Sequence, residues 1–262
     1  YYYTTGQLTI DKSGSEKRIK SSGVLEMIDR QDVFVNYTFE PEDIVTLEQS
    51  RFGWMPYENY PISKEAVFIE NRGIWGFSMS AFTVNPEFAG GVFGKSLVLD
   101  ETKHFYSYGM GPSTGDDSRS IALWIKTGSK DKMIICSTSP RFGGGKSLFD
   151  LQLNDGKLSF INANGNLLKT KNTQLNDGKW HHIACVLPEN KKRVKDILLY
   201  VDGEPQKTFC KDQEAVINTR PNNVLIIGDH VRSIVKNKNS RDEYKRFTGR
   251  VDDYGYWVIP LT

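Results

Sequence analysis

The chain has 262 residues, with 34 Lys and Arg against 32 Asp and Glu, so its formal net charge is only +2. Such a balance provides no overall field that would attract nucleic acid or an anionic membrane, and we expect neither as a partner. Hydrophobic residues at 38% and aromatic residues at 12% suffice for a sizeable core, and no apolar run reaches the roughly 18 residues of a membrane span.

The first 65 residues differ in pattern from the rest. The sequence VFVNYTFE (33–40) alternates as half-buried strands do, and Pro41 ends it. A Pro-broken aromatic stretch at 50–63 then predicts an irregular connector. We therefore divide the chain into a β-rich N-terminal extension, residues 1–65, and a main domain, residues 66–262.

From residue 66 onward, strand signals follow one another without helical periodicity between them. Gly, Asn and Asp turns separate the candidate strands, which are VFIE (67–70), GKSLVLD (94–100), RSIALWIKT (119–127), MIICSTS (133–139), SLFDLQLNDG (147–156) and KLSFINANG (157–165). This spacing predicts an antiparallel sandwich of two sheets.

Residues 174–203 carry the strongest local signal. They predict two strands joined by a Lys-rich hairpin, with Trp180 opening the first strand. The Asp-Gly pairs at 177–178 and 202–203 close the strands, because this dipeptide accepts the positive φ of tight β turns.

The phrases NDGKWHHIA and LYVDGE in this stretch resemble the core of laminin-G-like modules of the concanavalin A-like lectin/glucanase superfamily. GKSLVLD, RSIALWIKT and the closing FTGRVDDYGYWVIPLT resemble further strands of these modules in the same order, although Glu101 replaces a usual Gly. The resemblance covers about residues 68–262. It implies an all-β, two-sheet antiparallel jelly-roll sandwich whose first strand, around Trp75, pairs near the last strand, around Tyr256.

The three cysteines predict no disulfide and no metal site. Cys136 and Cys185 lie inside apolar strands and Cys210 follows a strand, with no Cys-x-x-Cys or Cys/His spacing among them.

Catalysis is not expected, although the superfamily also includes glycoside hydrolases. Those enzymes need two carboxylates on one strand face, and no E-x-D-x-x-E sequence occurs. Glu26 and Asp29 are three residues apart and would therefore lie on opposite faces of a strand. The adjacent His181 and His182 would also lie on opposite faces, so they cannot easily bind one metal ion. The Gly-rich RFGGGK (141–146) is predicted to be a hairpin loop, because a strand follows it instead of a helix.

The resemblance implies one structural Ca²⁺ near the meeting of the early and closing strands. A hard cation of this kind needs several oxygen ligands. The positions that match are Asp100 and Asp253, and of the adjacent Asp252 and Asp253 only one can face the site.

A glycan site requires exposed aromatic side chains beside polar groups. The loops 104–117, 141–146 and 233–247 offer such groups, and the candidate ligand-binding residues are Tyr106, Tyr108, Arg141, Phe142 and Tyr244.

These observations favour a non-catalytic, lectin-like module that binds a glycan or a glycan-bearing surface through its loops. The resemblance implies an extracellular or cell-surface location and a role in adhesion. The alternative is a structural subunit of an assembly, such as a virion decoration, tail or fibre protein, or a surface adhesin. In that alternative residues 1–65 clip the sandwich to a neighbouring copy or protein, because short isolated strands need a partner sheet.

Overall fold

The computed structural model describes residues 33–45, 66–73, 81–84, 86–103, 105–107, 113–140, 148–162, 165–219, 223–229 and 244–261. The strands are β1 (Val33–Tyr37), β2 (Ile44–Val45), β3 (Ala66–Ile69), β4 (Ala81–Val84), β5 (Glu87–Gly90), β6 (Lys95–Leu99), β7 (Phe105–Ser107), β8 (Arg119–Lys126), β9 (Met133–Pro140), β10 (Phe149–Asn154), β11 (Lys157–Asn162), β12 (Leu167–Thr170), β13 (Trp180–Leu187), β14 (Leu198–Val201), β15 (Glu204–Pro205), β16 (Thr208–Cys210), β17 (Asn223–Ile227), β18 (Lys245–Arg246) and β19 (Gly249–Trp257). The only helical segments within these ranges are two short 3-10 turns, Pro41–Asp43 and Val194–Asp196. None of the described residues belongs to a helix that could cross a bilayer.

The strands form two sheets. Sheet A has the order β15-β14-β13-β8-β19-β6-β5, and β1 also pairs with β19. Sheet B has the order β16-β12-β11-β10-β9-β17-β7-β4-β3-β2, and β18 also pairs with β9. Every pairing is antiparallel except that of β18 with β9. The predicted all-β, two-sheet sandwich is therefore confirmed.

The core lies between the sheets and follows from the period-2 alternation of the strands. On β8, Ile121, Leu123 and Ile125 are fully buried in the main hydrophobic cluster. Their cross-strand neighbours on β13 include Ile183 and Cys185, which belong to the same cluster. The residues between them, such as Ala122 and Trp124, therefore face away from the core.

The strong signal at 174–203 is confirmed as the pair β13–β14. Trp180 begins β13, and Ile183 to Val186 pair with Val201 to Leu198. Asp202 adopts a φ of 52°, as the Asp-Gly turn requires. A 3-10 turn at Val194–Asp196 precedes the second strand, which begins at Leu198.

Residues 33–45 belong to both sheets of the sandwich, although they fall within the predicted extension. β1 pairs with β19, with Val35 opposite Tyr256, and β2 pairs with β3. Tyr37 and Phe39 are buried in the core cluster. The boundary at residue 66 thus does not separate this segment from the main domain. The strand beside Tyr256 is β1, and the segment around Trp75 lies outside the described residues.

Candidate functional site

The outer face of sheet A, the side turned away from the core, carries the candidate site. Its side chains form rows, because residues directly opposite on neighbouring strands lie about 5 Å apart. One row crosses three central strands, with His182 of β13 opposite Trp124 of β8, which is opposite Asp252 of β19.

Three rings from this region form what we call the aromatic cluster: Phe93, Trp124 and His182. The ring of Phe93 meets Trp124 edge-on at 6.2 Å between centroids, and His182 lies at 5.1 Å on a tilt. Phe93 is 38% exposed, whereas Trp124 and His182 are partly buried. The cluster therefore offers an accessible aromatic surface on a rigid sheet.

Phe93 comes from the loop between β5 and β6, residues 91–94, and two carboxylates hold this loop. Oδ2 of Asp252 accepts hydrogen bonds from the amides of Val92 at 2.7 Å and Phe93 at 3.1 Å. Oε1 of Glu40 accepts from the Lys95 amide at 3.0 Å. Gly94 has a φ of 68°, and a Cβ there would collide with the Glu40 carboxylate, so this turn requires glycine.

Asp252 is fully buried beneath this loop. Burial raises the pKa of its carboxyl to about 6, although the amides of Phe93 and Val92 act in the opposite direction. Its Oδ1 atom has no hydrogen-bond partner among the described residues. Asp252 therefore positions the loop and does not itself reach a ligand, and Glu40, the nearby second carboxylate, serves the same loop. The two do not form the exposed pair that glycoside hydrolysis needs.

His181 and His182 have different environments, in agreement with their placement on opposite faces. Burial against the sheet lowers the pKa of His182 to about 4, so this ring is neutral at pH 7. Burial also acts to lower the pKa of His181, but its hydrogen bonds to Asp202 at 2.8 Å and Asp177 at 3.1 Å outweigh burial and raise it. His181 thus ties the two Asp-Gly turns together.

A second row runs parallel to the first, two residues farther along each strand, at roughly 7 Å. Trp180 lies opposite Lys126, Lys126 opposite Arg250, and Arg250 opposite Val98. An open depression of about 430 Å³ adjoins this row; its lining includes Val98, Lys126, Gly128, Ser129, Gly178 and Arg250.

On the other side of the aromatic cluster, the C-terminal segment 258–261 covers the face. Ile259 and Leu261 pack on a small cluster of Ala122, Ala184 and Trp257. We call this part the covered half of the outer face, and the two rows above the open half.

Of the five predicted ligand-binding residues, the two that the structure describes, Tyr106 and Tyr244, lie outside the open half. Tyr106 is in β7, an inner strand of sheet B, where it lies opposite Phe82 of β4 and Ile226 of β17. The ring of Tyr244 lies under the ammonium group of Lys132, 3.9 Å from its centroid, near the start of β9. Ile226 of β17 lies opposite both Tyr106 of β7 and Ser137 of β9. Ser137 is five residues from Lys132, so the positions of Tyr106 and Tyr244 are roughly 17 Å apart along β9. Tyr108, Arg141 and Phe142 lie outside the described residues.

Asp100 and Asp253, the predicted calcium ligands, do not converge. Leu99 is opposite Gly249, so Asp253 lies five residues, or roughly 17 Å, farther along β19 than the position opposite Asp100. Oδ1 of Asp100 accepts from the amide and hydroxyl of Thr102, whereas Asp253 is buried. These two residues do not fit a shared calcium site, and the described part of the chain contains no cluster of three metal-binding side chains.

Trp124 and His182 were quoted in the sequence within strand patterns, Phe93 was not among the candidate residues, and the role of the three as a surface was missed. The available signal was the alternation of RSIALWIKT. It places Trp124 on the opposite face of the strand from Ile121, Leu123 and Ile125.

Comparison with known proteins gives one family match. The model described as "Concanavalin A-like lectin/glucanases superfamily" matches residues 102–262. Comparison with curated proteins finds no similar sequence.

Several solved structures are similar in fold. Domain 4 of AbnA, a GH43 extracellular arabinanase from Geobacillus stearothermophilus solved in complex with arabinotriose, is 14% identical with a TM-score of 0.56, over 88% of this chain and 94% of that one. The binding domain of botulinum neurotoxin serotype D is 11% identical with a TM-score of 0.53 over 89% of this chain, which spans half of that one. Domains LG4-5 of the mouse laminin alpha1 chain are 20% identical with a TM-score of 0.44, over 58% of this chain and 38% of that one.

Proposed function

Because the chain belongs to the concanavalin A-like lectin/glucanase superfamily, we propose that it is a non-catalytic recognition module that binds a glycan through the open half of the outer face of sheet A. The observation that carries this proposal is the aromatic cluster, in which Phe93 and His182 flank Trp124 on a surface open to solvent.

The physical reason is the chemistry of sugars. The apolar C–H faces of a pyranose or furanose ring stack on aromatic rings, while hydroxyl groups need nearby donors and acceptors. Trp124 lies on a central strand, so its position is fixed by the sheet and little ordering entropy is lost on binding. The partly exposed Lys126 and Arg250 provide donors about one pleat repeat away.

A saccharide is also the ligand class that the fold comparison favours. One domain of this fold was solved with arabinotriose, and that domain is covered almost completely by this chain. We extend the class of ligand, not the particular sugar, to this protein. An extracellular or cell-surface location is part of the same proposal.

The assembly alternative is favoured less. It assigned residues 1–65 to a clip for a neighbouring subunit, but residues 33–45 pair with strands of their own sandwich. A clip would have to use other parts of that region.

A glycan array screened with the full chain, followed by titration of the best ligand, tests the proposal. Trp124→Ala and Phe93→Ala should each weaken binding by at least about tenfold, as loss of a central aromatic contact does. Phe209→Ala is the matched control, because Phe209 is a 58% exposed phenylalanine in β16 of sheet B. Equal binding by all three variants, or turnover of any glycan, would contradict the proposal.

A further inference from the structure

The open half contains two positive charges side by side. Lys126 on β8 lies directly opposite Arg250 on β19, and both are partly exposed. Like charges directly opposite on neighbouring strands repel each other and destabilise a sheet. No carboxylate among the described residues lies within ion-pair distance of either side chain, and the one described contact is a 3.3 Å hydrogen bond from Nη1 of Arg250 to the carbonyl of Gly90.

Three carboxylates around this pair have other partners. Asp100, at the rim of the depression, binds Thr102 and lies 3.5 Å from the ammonium group of Lys103. Glu87 is paired with the same ammonium at 2.8 Å. Asp252, two residues from Arg250 on the same face, is buried and uses Oδ2 to hold the 91–94 loop. The two cations therefore keep unused hydrogen-bonding capacity toward the depression.

We infer that the depression beside Lys126 and Arg250 takes an anionic group, a carboxylate or a sulfate, of an acidic saccharide whose ring stacks on Trp124. This inference rests on the proposed function and names the class of glycan. An anionic group between the two side chains relieves their repulsion. It also receives charge-assisted hydrogen bonds, from the guanidinium fork of Arg250 and from the ammonium of Lys126.

The geometry fits a single ligand that spans both rows. Trp124 and Lys126 are alternate residues of β8 and face the same side, roughly 7 Å apart. One sugar residue and its exocyclic acid group cover such a span. Trp180, the other neighbour of Lys126, ends the row with a second partly exposed ring. The depression of about 430 Å³ leaves room for the group and its water.

The test compares three forms of one polysaccharide: a neutral glucan, its C6-carboxylate derivative and its sulfate derivative, alongside a glycan array. Affinities are measured for the wild type and for the double variant Lys126→Gln/Arg250→Gln. The matched control is Lys191→Gln/Lys211→Gln, which removes the same charge from two exposed lysines with no described ion pair. Urea unfolding verifies that each variant is folded.

We expect the wild type to bind an acidic derivative more tightly than the neutral glucan. Comparing the carboxylate with the sulfate derivative shows which of the two groups the site prefers. The Lys126/Arg250 variant should lose at least about tenfold in affinity for the acidic form and keep its affinity for the neutral one, as expected when charge-assisted bonds are removed. Equal loss in the control variant would overturn the inference, because it would reflect net charge alone.

Failure of the inference can be told apart from failure of the proposed function. If Trp124→Ala weakens glycan binding while the Lys126/Arg250 variant binds acidic and neutral forms as the wild type does, the inference is wrong and the proposed function stands. If no saccharide on the array binds, both are overturned.

Discussion

The covered and open halves of the outer face lie on the same strands, only two residues apart. In the covered half Ala122 is opposite Ala184 and Gly255, so the sheet presents a shallow channel of small side chains. Ile259 and Leu261 fill it, and the hydroxyl of Ser120 bridges them by donating to the Ile259 carbonyl and accepting from the Leu261 amide, both at 2.8 Å.

In the open half the corresponding positions hold Trp124 and His182, followed by Lys126 and Arg250. These bulky and charged side chains leave no channel like that of the covered half, and the 91–94 loop packs only over Asp252 and the edge of Trp124. Side-chain volume at each register position therefore decides whether the face packs against the C-terminal segment or stays available to a ligand.

Gly255→Ala should destabilise the covered half most. A Cβ at this position would run into the ring of Trp257, which is almost fully buried. We expect the free energy of unfolding to fall by about 3 kcal/mol, at the upper end for overpacking. Gly128→Ala, at the rim of the open depression, is the control because no atom lies within 4 Å of its Cβ. Similar losses for the two variants in urea unfolding would contradict the comparison.

Asp252→Asn tests the buried charge of the open half. The pKa of Asp252 is about 6 in the folded protein and about 3.9 when unfolded, so the folded state binds the extra proton between these values. The free energy of unfolding of the wild type should therefore fall by about 2 kcal/mol relative to Asp252→Asn as pH rises from 4 to 7. The asparagine keeps an oxygen for the Val92 and Phe93 amides.

The control for this experiment is Asp100→Asn, which has the opposite sign. Hydrogen bonds from Thr102 lower the pKa of Asp100, so its contribution to stability is present above its unfolded pKa and is lost as pH falls through its folded pKa. If the free energy of unfolding varied with pH in the same way for the wild type and for Asp252→Asn, burial would not raise the pKa of Asp252, and the account of this carboxylate would be wrong.

Ser120→Ala tests the attachment of the C-terminal segment. It removes the donor to Ile259 and the acceptor from Leu261, and we expect a loss of about 1 kcal/mol together with faster amide exchange at Leu261. Glycan affinity should not change, because the segment covers the other half. Ser118→Ala, whose hydroxyl makes no hydrogen bond with the described residues, is the control. A gain or loss of binding in Ser120→Ala alone would link the two halves.

Much of the fold was predictable because its signals are local. The Asp-Gly turn at 202–203, the β13–β14 pair and the strand around Trp124 follow from short sequence patterns. The place of residues 33–45 within the sandwich was not predictable, because the pairing of β1 with β19 joins segments that are far apart in the sequence.

The site was not predictable for the same reason. His182, Trp124 and Asp252 become neighbours through the register of β13, β8 and β19, and a slip of one residue would place them on the other face. Phe93 reaches them from a fourth segment, through a loop held by a buried carboxylate. Composition and spacing point to loops as binding sites, but they do not reveal which rings a sheet brings together.

Chemical-shift mapping of the indole N–H groups tests the central claim most directly, with the saccharide of highest affinity from the array as ligand. The open half contains Trp124 and Trp180, and the covered half contains the buried Trp257. The signals of Trp124 and Trp180 should shift in a saturable manner while that of Trp257 stays in place. Unchanged Trp124 and Trp180 signals, with shifts instead of the backbone amides of Tyr106 or Tyr244 in the same spectrum, would place the ligand at the residues predicted from the sequence and contradict the account.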